Sequence, residues 1–218
     1  ALNCEAQPII SHYRLKMRNN RLPFQIYENE EIRLIISGVG KVSSASATGY
    51  LYGLSDSSEH HVWLNVGVSG HRKQNIGEAF LINKITDMGT KKSYYPTFVF
   101  KHPFTSLSLE THDKSVSDYP SVAAVDMEAS GFYEAACRFS TTEFIHSYKI
   151  ISDNEDSPLI KLDKAFAEKL IQKRLEEIVL LIEKLAELSR EEEILLQDPE
   201  TFPLFLSQWH FSTSESFG

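Results

Sequence analysis

The sequence predicts a single α/β domain of three layers, in which a central twisted mixed β-sheet lies between two layers of helices. Apolar runs of strand length alternate with segments of helical periodicity, which favours this class over an all-β fold or a helix bundle. The length of 218 residues fits one ordinary domain with a sizeable core. We place this domain at residues 1–198 and a C-terminal tail at residues 199–218, because Pro199 and Pro203 break the last helical pattern.

The first half of the chain predicts several strands and one helix. Residues 32–36 form a predicted strand that ends at a glycine turn, Ser37-Gly38-Val39-Gly40. Residues 61–66 form a second predicted strand, which ends at a second glycine turn, Gly67-Val68-Ser69-Gly70. Between the two, the segment 41–54 is rich in Ala and Ser and predicts a tightly packed helix. The further strand candidates are residues 79–85, 97–100 and, with a weaker pattern, 104–109.

The second half predicts two more strands and the remaining helices. Residues 122–125 form a strand that leads into a helix at 128–138, and residues 144–151 form the last strand. Apolar side chains then recur at steps of three to five, which predicts one long amphipathic helix covering the sheet. These side chains are Leu162, Phe166, Leu170, Leu175, Ile178, Ile182 and Leu185.

Composition narrows the classes of function. With 22 basic and 30 acidic residues the net charge is −8, so we expect no binding to nucleic acid. No apolar run approaches the roughly 18 residues that cross a bilayer, so we expect no membrane span. Cys4 and Cys137 are too few for a disulfide framework and too far apart for a metal knuckle. We expect reduced thiols in a cytoplasmic protein without a metal site. The given sequence begins at Ala1 and not at a methionine, so a leader that has been removed stays open as an alternative.

Two segments place carboxylates where a predicted strand ends, which is where open α/β sheets bind small ligands. They are Val125-Asp126-Met127-Glu128 and Ile151-Ser152-Asp153. Each carboxylate also has a structural interpretation. Glu128 could merely stabilise a helix N-terminus. Asp153 could cap a turn in the polar run that follows it.

Taken in order, these segments and the two glycine turns resemble the purine nucleoside phosphorylase/nucleosidase family. The segment Ser37-Gly38-Val39-Gly40-Lys41-Val42 closely matches the family's Ser-Gly-Ile-Gly-Lys-Val. The resemblance is strongest to its hydrolytic branch, the methylthioadenosine/S-adenosylhomocysteine nucleosidases. It covers residues 32–156 and implies a nucleoside phosphorylase-like fold.

The resemblance implies a ribose site. Glu128 would accept hydrogen bonds from the vicinal ribose hydroxyls, and these bonds tighten as positive charge develops in the sugar. Met127 would pack against the sugar. Gly67 and Val68 would line the side from which the nucleophile approaches.

The resemblance also implies the acid and the base. Asp153, paired with Ser152, would protonate N7 of the departing purine. Glu5, in the segment Cys4-Glu5-Ala6, would activate the attacking water. In the family a full strand precedes this glutamate, whereas here only four residues do.

The sequence departs from the family at two places. Asn65 and Val68 stand where the phosphorylases hold phosphate with an arginine and a serine, although Arg72 lies nearby. The run 109–116 has no aromatic residue to stack on the base, and His112 and Asp113 could either read its edge or be solvated. Other stacking candidates are Tyr94, Tyr95, Phe98 and Phe100.

We therefore expect a nucleosidase that hydrolyses the N-glycosidic bond of a purine nucleoside or a 5′-modified relative. No metal or organic cofactor is expected, and the resemblance implies a homodimer. Two alternatives stay open. One is a phosphorylase that uses phosphate as co-substrate, and the other is a nucleoside-binding or storage protein without catalysis.

Overall fold

A computed structural model describes residues 2–18, 21–55, 61–116, 118–158 and 163–195, together with residues 202, 204 and 208. The strands are β1 (Lys16–Met17), β2 (Ile26–Glu28), β3 (Arg33–Ile35), β4 (Trp63–Gly70), β5 (Ala79–Asp87), β6 (Ser93–Tyr94), β7 (Ser106–Thr111), β8 (Ala123–Asp126) and β9 (Ile145–Asp153). The helices are α1 (Asn3–Tyr13), α2 (Lys41–Tyr52), α3 (Ala129–Ala136), α4 (Lys164–Lys173) and α5 (Leu175–Leu195), with a short 3-10 helix at Thr142–Phe144. Apart from the three separate residues, the predicted tail lies outside the described residues, and so does Leu162.

The central sheet is mixed, as predicted, and contains six strands in the order β6-β5-β7-β8-β4-β9. The strands β4 and β9 are parallel, as are β5, β7 and β8, whereas β5 and β9 pair antiparallel. Because β5 pairs with β9 as well as with β7, the sheet closes on itself into a small barrel. A separate antiparallel sheet, β1-β2-β3, contains the strand predicted at 32–36.

Helices cover the central sheet on both sides, which confirms the three-layer α/β/α class. All nine residues of β9 are buried, so both faces of this strand are covered. Ile145 and Ile151 pack in the cluster that contains α3, whereas Tyr148 and Ile150 pack in the cluster that contains α4 and α5. Among the described helices, none is long and apolar enough to cross a membrane.

Strand β4 does not stop at a glycine turn, which corrects the prediction for residues 67–70. It continues to Gly70, because Gly67, Val68 and Ser69 keep their parallel register with β9. At Gly67 the missing side chain serves close packing. A Cβ there would lie 3.2 Å from Glu5 Oε1 and 3.5 Å from Lys149 Nζ.

Two other predictions differ from the structure, and one helix was not predicted. Residues 97–100 are not a strand, and Phe98 and Phe100 pack in an aromatic cluster with His146. The long C-terminal helix is two helices, separated at Arg174, whose guanidinium Nε donates to the carbonyl of Gly77 at 2.8 Å. Helix α1 was missed, because Pro8 inside it removes a backbone donor and opposes a helix in sequence terms.

The helices α2 and α3 touch at backbone distance, where Gly131 lies against the start of α2. A Cβ on Gly131 would lie 2.2 Å from the carbonyl oxygen of Lys41. A side chain at this position would therefore force the two helices apart. The contact also keeps Gly40, which precedes α2, close to Glu128, which precedes α3.

We predict that Gly131→Ala lowers the free energy of unfolding by about 1–3 kcal/mol, the usual cost of overpacking. The matched control is Gly49→Ala, in a helix where no atom lies within 4 Å of the new Cβ. That change should stabilise the protein by about 0.5–1 kcal/mol, because alanine loses less backbone entropy than glycine. Urea unfolding followed by circular dichroism measures both. A Gly131→Ala protein as stable as the control would contradict the close approach of the helices.

Candidate active site

The carboxyl ends of three strands meet at Gly70. This residue pairs with Val125 of β8 and with Asp153 of β9, across a register shift next to Ser69. A Cβ on Gly70 would lie 2.6 Å from Asp153 Oδ2 and 3.1 Å from Val125 Cγ2. The two predicted carboxylate segments, far apart in sequence, therefore end at the same place.

Asp153 is the last residue of β9 and is buried there with Ser152. Its Oδ1 accepts a hydrogen bond from Ser152 Oγ at 2.5 Å, and its Oδ2 accepts one from the hydroxyl of Tyr119. Its backbone carbonyl accepts from the N–H of His71 at 3.0 Å. The side chain thus bonds to buried donors and does not cap the polar turn that follows, which was its structural interpretation.

Glu128 is buried immediately before α3. Its Oε1 accepts from the N–H of Gly40 at 2.9 Å, and its Oε2 accepts from the N–H of Met127 at 3.3 Å. The first N–H of α3, that of Ala129, donates to Asp126 Oδ2 instead, at 2.9 Å. Asp126 therefore caps the helix, and the carboxylate of Glu128 faces the glycine turn predicted at 37–40. Burial raises the pKa of Glu128, with the positive charge of Lys149 opposing that rise.

Glu5 is buried on α1 and faces β4. Its Oε1 accepts from the N–H of Val68 at 2.9 Å, and its Oε2 accepts from the N–H of Leu2 at 2.6 Å. These two backbone donors orient the carboxylate. Glu5 also borders a cavity of about 720 Å³ between β3 and β4.

Lys149 lies between these groups and was not predicted. It is the register partner of Gly67, and its side chain is only 1% exposed. The ammonium Nζ lies 3.1 Å from Asp126 Oδ2. Burial alone would lower the pKa of Lys149, but the charges of Asp126, Glu128 and Glu5 outweigh it and raise that pKa. One buried cation thus serves three buried carboxylates.

Two residues of the basic segment 71–73 interact with other groups of the protein. Arg72 pairs with Glu155, whose Oε2 lies 3.1 Å from the guanidinium Nε, and both side chains are exposed. The Nδ1 of His71 accepts from the backbone N–H groups of Lys73 and Gln74, at 3.0 Å each. Burial lowers the pKa of His71, so this ring is a neutral element of the loop.

Three of the residues considered for recognition of the base have partners within the protein. Asp113 is 65% exposed and pairs with Lys41 at 2.8 Å. His112 lies 3.3 Å from Glu110. Tyr94 packs on Tyr133 with ring centroids 5.4 Å apart.

The aromatic side chain that contacts Asp153 is Tyr119, which was not predicted from the sequence. It lies between β7 and β8 and is buried. Among the described residues, no group of three or more His, Cys, Asp or Glu side chains could hold a metal ion.

Comparison with known proteins finds similar folds among solved structures only. No protein-family model matches the chain, and no curated protein matches its sequence. Among solved structures, a point variant of the nucleosidase MTAN from Chlamydia trachomatis has a TM-score of 0.65 at 17% identity, covering 85% of this chain and 95% of that chain. The fold is that of the nucleosidases.

Two more solved structures share the nucleosidase fold. The methylthioadenosine nucleosidase of Arabidopsis thaliana has a TM-score of 0.63 at 16% identity and covers 84% of this chain and 92% of its own. The methylthioadenosine/S-adenosylhomocysteine nucleosidase of S. pneumoniae, solved with a transition-state inhibitor, has a TM-score of 0.62 at 15% identity and covers 84% and 95%. The fold class implied by the resemblance in sequence is confirmed.

We predict that Lys149→Met lowers the free energy of unfolding by about 3 kcal/mol or more, because it leaves buried carboxylates without their counter-charge. Urea unfolding near neutral pH measures this loss. The double variant Lys149→Met/Asp126→Asn should recover part of it, because it removes one of the uncompensated charges. If the two single changes simply add in the double variant, Lys149 and Asp126 are not coupled as the 3.1 Å contact indicates.

Proposed function

We propose that this protein hydrolyses the N-glycosidic bond of a purine nucleoside or a 5′-modified purine nucleoside. One observation carries the proposal. In a chain with the nucleosidase fold, three buried carboxyl groups lie on or next to three strands of one sheet: Glu5 bonds to Val68 of β4, Glu128 follows β8, and Asp153 ends β9. Loss of a purine from ribose needs an acid for the base, a grip on the sugar and an activated nucleophile. These three carboxyl groups can supply those functions.

In this proposal Asp153 gives its proton to the departing purine as the bond from C1′ to nitrogen breaks. Glu128 accepts hydrogen bonds from the ribose hydroxyls, and its carboxylate stabilises the positive charge that develops on the sugar. Met127, half-buried beside Glu128, packs on the ribose. Ser152 orients Asp153 through its hydroxyl.

Glu5 takes the proton of the water that attacks C1′. Its carboxylate is fixed by the N–H of Val68. Gly67 has no side chain that would occupy the space beside this carboxylate. The positive charge of Lys149 offsets the repulsion between the buried carboxylates. Water reaches the sugar from this side, opposite the departing base.

The local charge favours water over phosphate as the nucleophile. A phosphate dianion would meet three buried carboxylates and one ammonium, and Lys149 already pairs with Asp126. Arg72, the candidate anion ligand of the phosphorylase alternative, pairs with Glu155. We therefore propose hydrolysis and no phosphate requirement.

The first test is a screen of purine nucleosides, including adenosine, inosine and 5′-methylthioadenosine, for release of free base with and without phosphate. We expect release without phosphate. Asp153→Asn should lower kcat by about 100-fold or more, the usual contribution of general-acid catalysis, while nucleosides still bind. Asp156→Asn is the matched control, because that aspartate is exposed three residues further on.

The alternatives give different results in the same screen. Base release that depends on phosphate and yields ribose 1-phosphate would favour the phosphorylase. Nucleoside binding without base release, unchanged by Asp153→Asn, would favour the binding or storage protein and overturn the proposed enzyme.

A second test isolates Glu5. We predict that Glu5→Gln lowers the hydrolytic kcat by about 100-fold or more, because the water loses its base. Azide should restore turnover of this variant and yield a ribosyl azide, since an anionic nucleophile needs no proton removed. Glu168→Gln, at an exposed position on α4, is the control and should keep full activity without responding to azide. A Glu5→Gln protein with normal hydrolysis would remove Glu5 from the mechanism.

A further inference from the structure

The cavity that Glu5 borders lies in the plane of the sheet. Its walls include every residue of 29–37 and of 61–66, two stretches that contain β3 and the start of β4. Successive side chains of a strand point to opposite faces, so a cavity on one face would be lined by every second residue. A cavity that is lined by consecutive residues lies instead against the backbone edges of the two strands. We call it the β3–β4 cavity.

Both strands have an edge without a strand partner in the part of the chain that the structure describes. Strand β3 pairs with β2 and with no other described strand. Strand β4 pairs with β9 along its whole length, but with β8 only at Gly70. The unpaired N–H and C=O groups of such an edge are a template for pairing with a further extended segment.

Helices cover the β3–β4 cavity on both faces. Its walls include Ile9 of α1 and Ile182 of α5, which pack in one core cluster, and Leu51 of α2 and Phe132 of α3, which pack in the other. The cavity measures about 720 Å³. A strand of five residues occupies about 800 Å³, given its rise per residue, the spacing of neighbouring strands and the spacing of packed layers. The cavity thus has the position, the cover and the size of one short strand.

The walls of the cavity are not purely apolar. The side chain of Asn65 lines it and is only 9% exposed, and its Oδ1 accepts no hydrogen bond from any described residue. Buried polar atoms are normally paired. An apolar ligand would leave Asn65 and both strand edges without partners, whereas a polypeptide backbone supplies donors and acceptors along its length.

The chain enters α1 beside the edge of β4. Leu2, which precedes this helix, has an extended backbone with φ of −107° and ψ of 158°. Its N–H donates to Glu5 Oε2 at 2.6 Å, and the other oxygen of the same carboxylate accepts from the N–H of Val68 at 2.9 Å. A segment that leads into Leu2 therefore arrives near the carboxyl end of β4. If that segment lies in the β3–β4 cavity, it runs parallel to β4.

We propose that the β3–β4 cavity receives a β-strand formed by residues that precede Ala1 in the natural protein, parallel to β4 and continuous with α1. This strand joins the small sheet β1-β2-β3 to the central sheet. It carries about five consecutive apolar residues, mostly β-branched, because both of its faces are covered. It also fixes the start of α1, and with it the carboxylate of Glu5. The proposal goes beyond the proposed function and does not depend on it.

Hydrogen exchange of backbone amides tests whether the cavity accepts a strand. The extension Lys-Val-Ile-Val-Ile-Val, joined to Ala1 of the 218-residue chain, is the probe. Exchange in residues 33–35 and 63–67, followed by mass spectrometry, should slow by about tenfold or more, because these amides gain hydrogen bonds. Strand β9 is paired on both edges and should not change. The extension Lys-Val-Pro-Val-Pro-Val is the matched control, since proline has no N–H to donate.

Each other result contradicts the proposal. Unchanged exchange with the first extension, or equal slowing with both, would show that no strand forms in the cavity. Slow exchange of the same amides in the unextended chain, increasing with protein concentration, would assign the cavity to a second copy. Peptide mapping of the natural protein is a second test, which does not depend on how the extended variants fold. It should find the apolar run directly before Ala1, and a natural N-terminus at Ala1 would overturn the proposal. No readout requires release of a base, so these results stand even if the proposed function fails.

Discussion

The buried ammonium of Lys149 is the interaction on which the candidate site depends. It comes from the middle of β9, is almost completely inaccessible, and is stabilised by charges from β8, from the start of α3 and from α1. Without it, the carboxylates of Asp126, Glu128 and Glu5 would have to share one low-dielectric region with no counter-charge. Gly67 makes the arrangement possible, since any side chain there would take the space beside Glu5 and Lys149. The site is therefore an electrostatic unit assembled from three separate segments.

The order of strands in the closed sheet explains why these segments meet. Strand β4 lies between β8 and β9, and Gly70 at its end pairs with Val125 of β8 and with Asp153 of β9. Close helix packing at Gly131 then brings the N–H of Gly40 to the carboxylate of Glu128. Glycines at these contacts allow the close approach that the site requires.

The sequence predicted the parts of this site that lie in continuous motifs. Glu128 and Asp153 each end a buried run, and alternation of strands with helices predicted the fold class. It did not predict Lys149, because one lysine inside an apolar strand has no periodicity and its partners lie in two distant segments. Tyr119 was missed for the same reason. It lies in a loop, 34 residues before the aspartate that it contacts. Gly67 was interpreted as part of a turn, whereas in the structure it serves close packing. A glycine in a sequence can indicate an unusual backbone conformation, and it can equally indicate a neighbour that leaves no room for a Cβ.

Glu128 and Asp153 are two buried carboxyl groups that are held by different kinds of donor. Burial raises the pKa of Glu128, and its carboxylate accepts from the backbone N–H groups of Gly40 and Met127. Asp153 accepts instead from two side-chain hydroxyls, those of Ser152 and Tyr119. A backbone N–H can only donate, whereas a hydroxyl can donate or accept. The position of Glu128 is therefore fixed by the backbone, whereas that of Asp153 depends on two side chains.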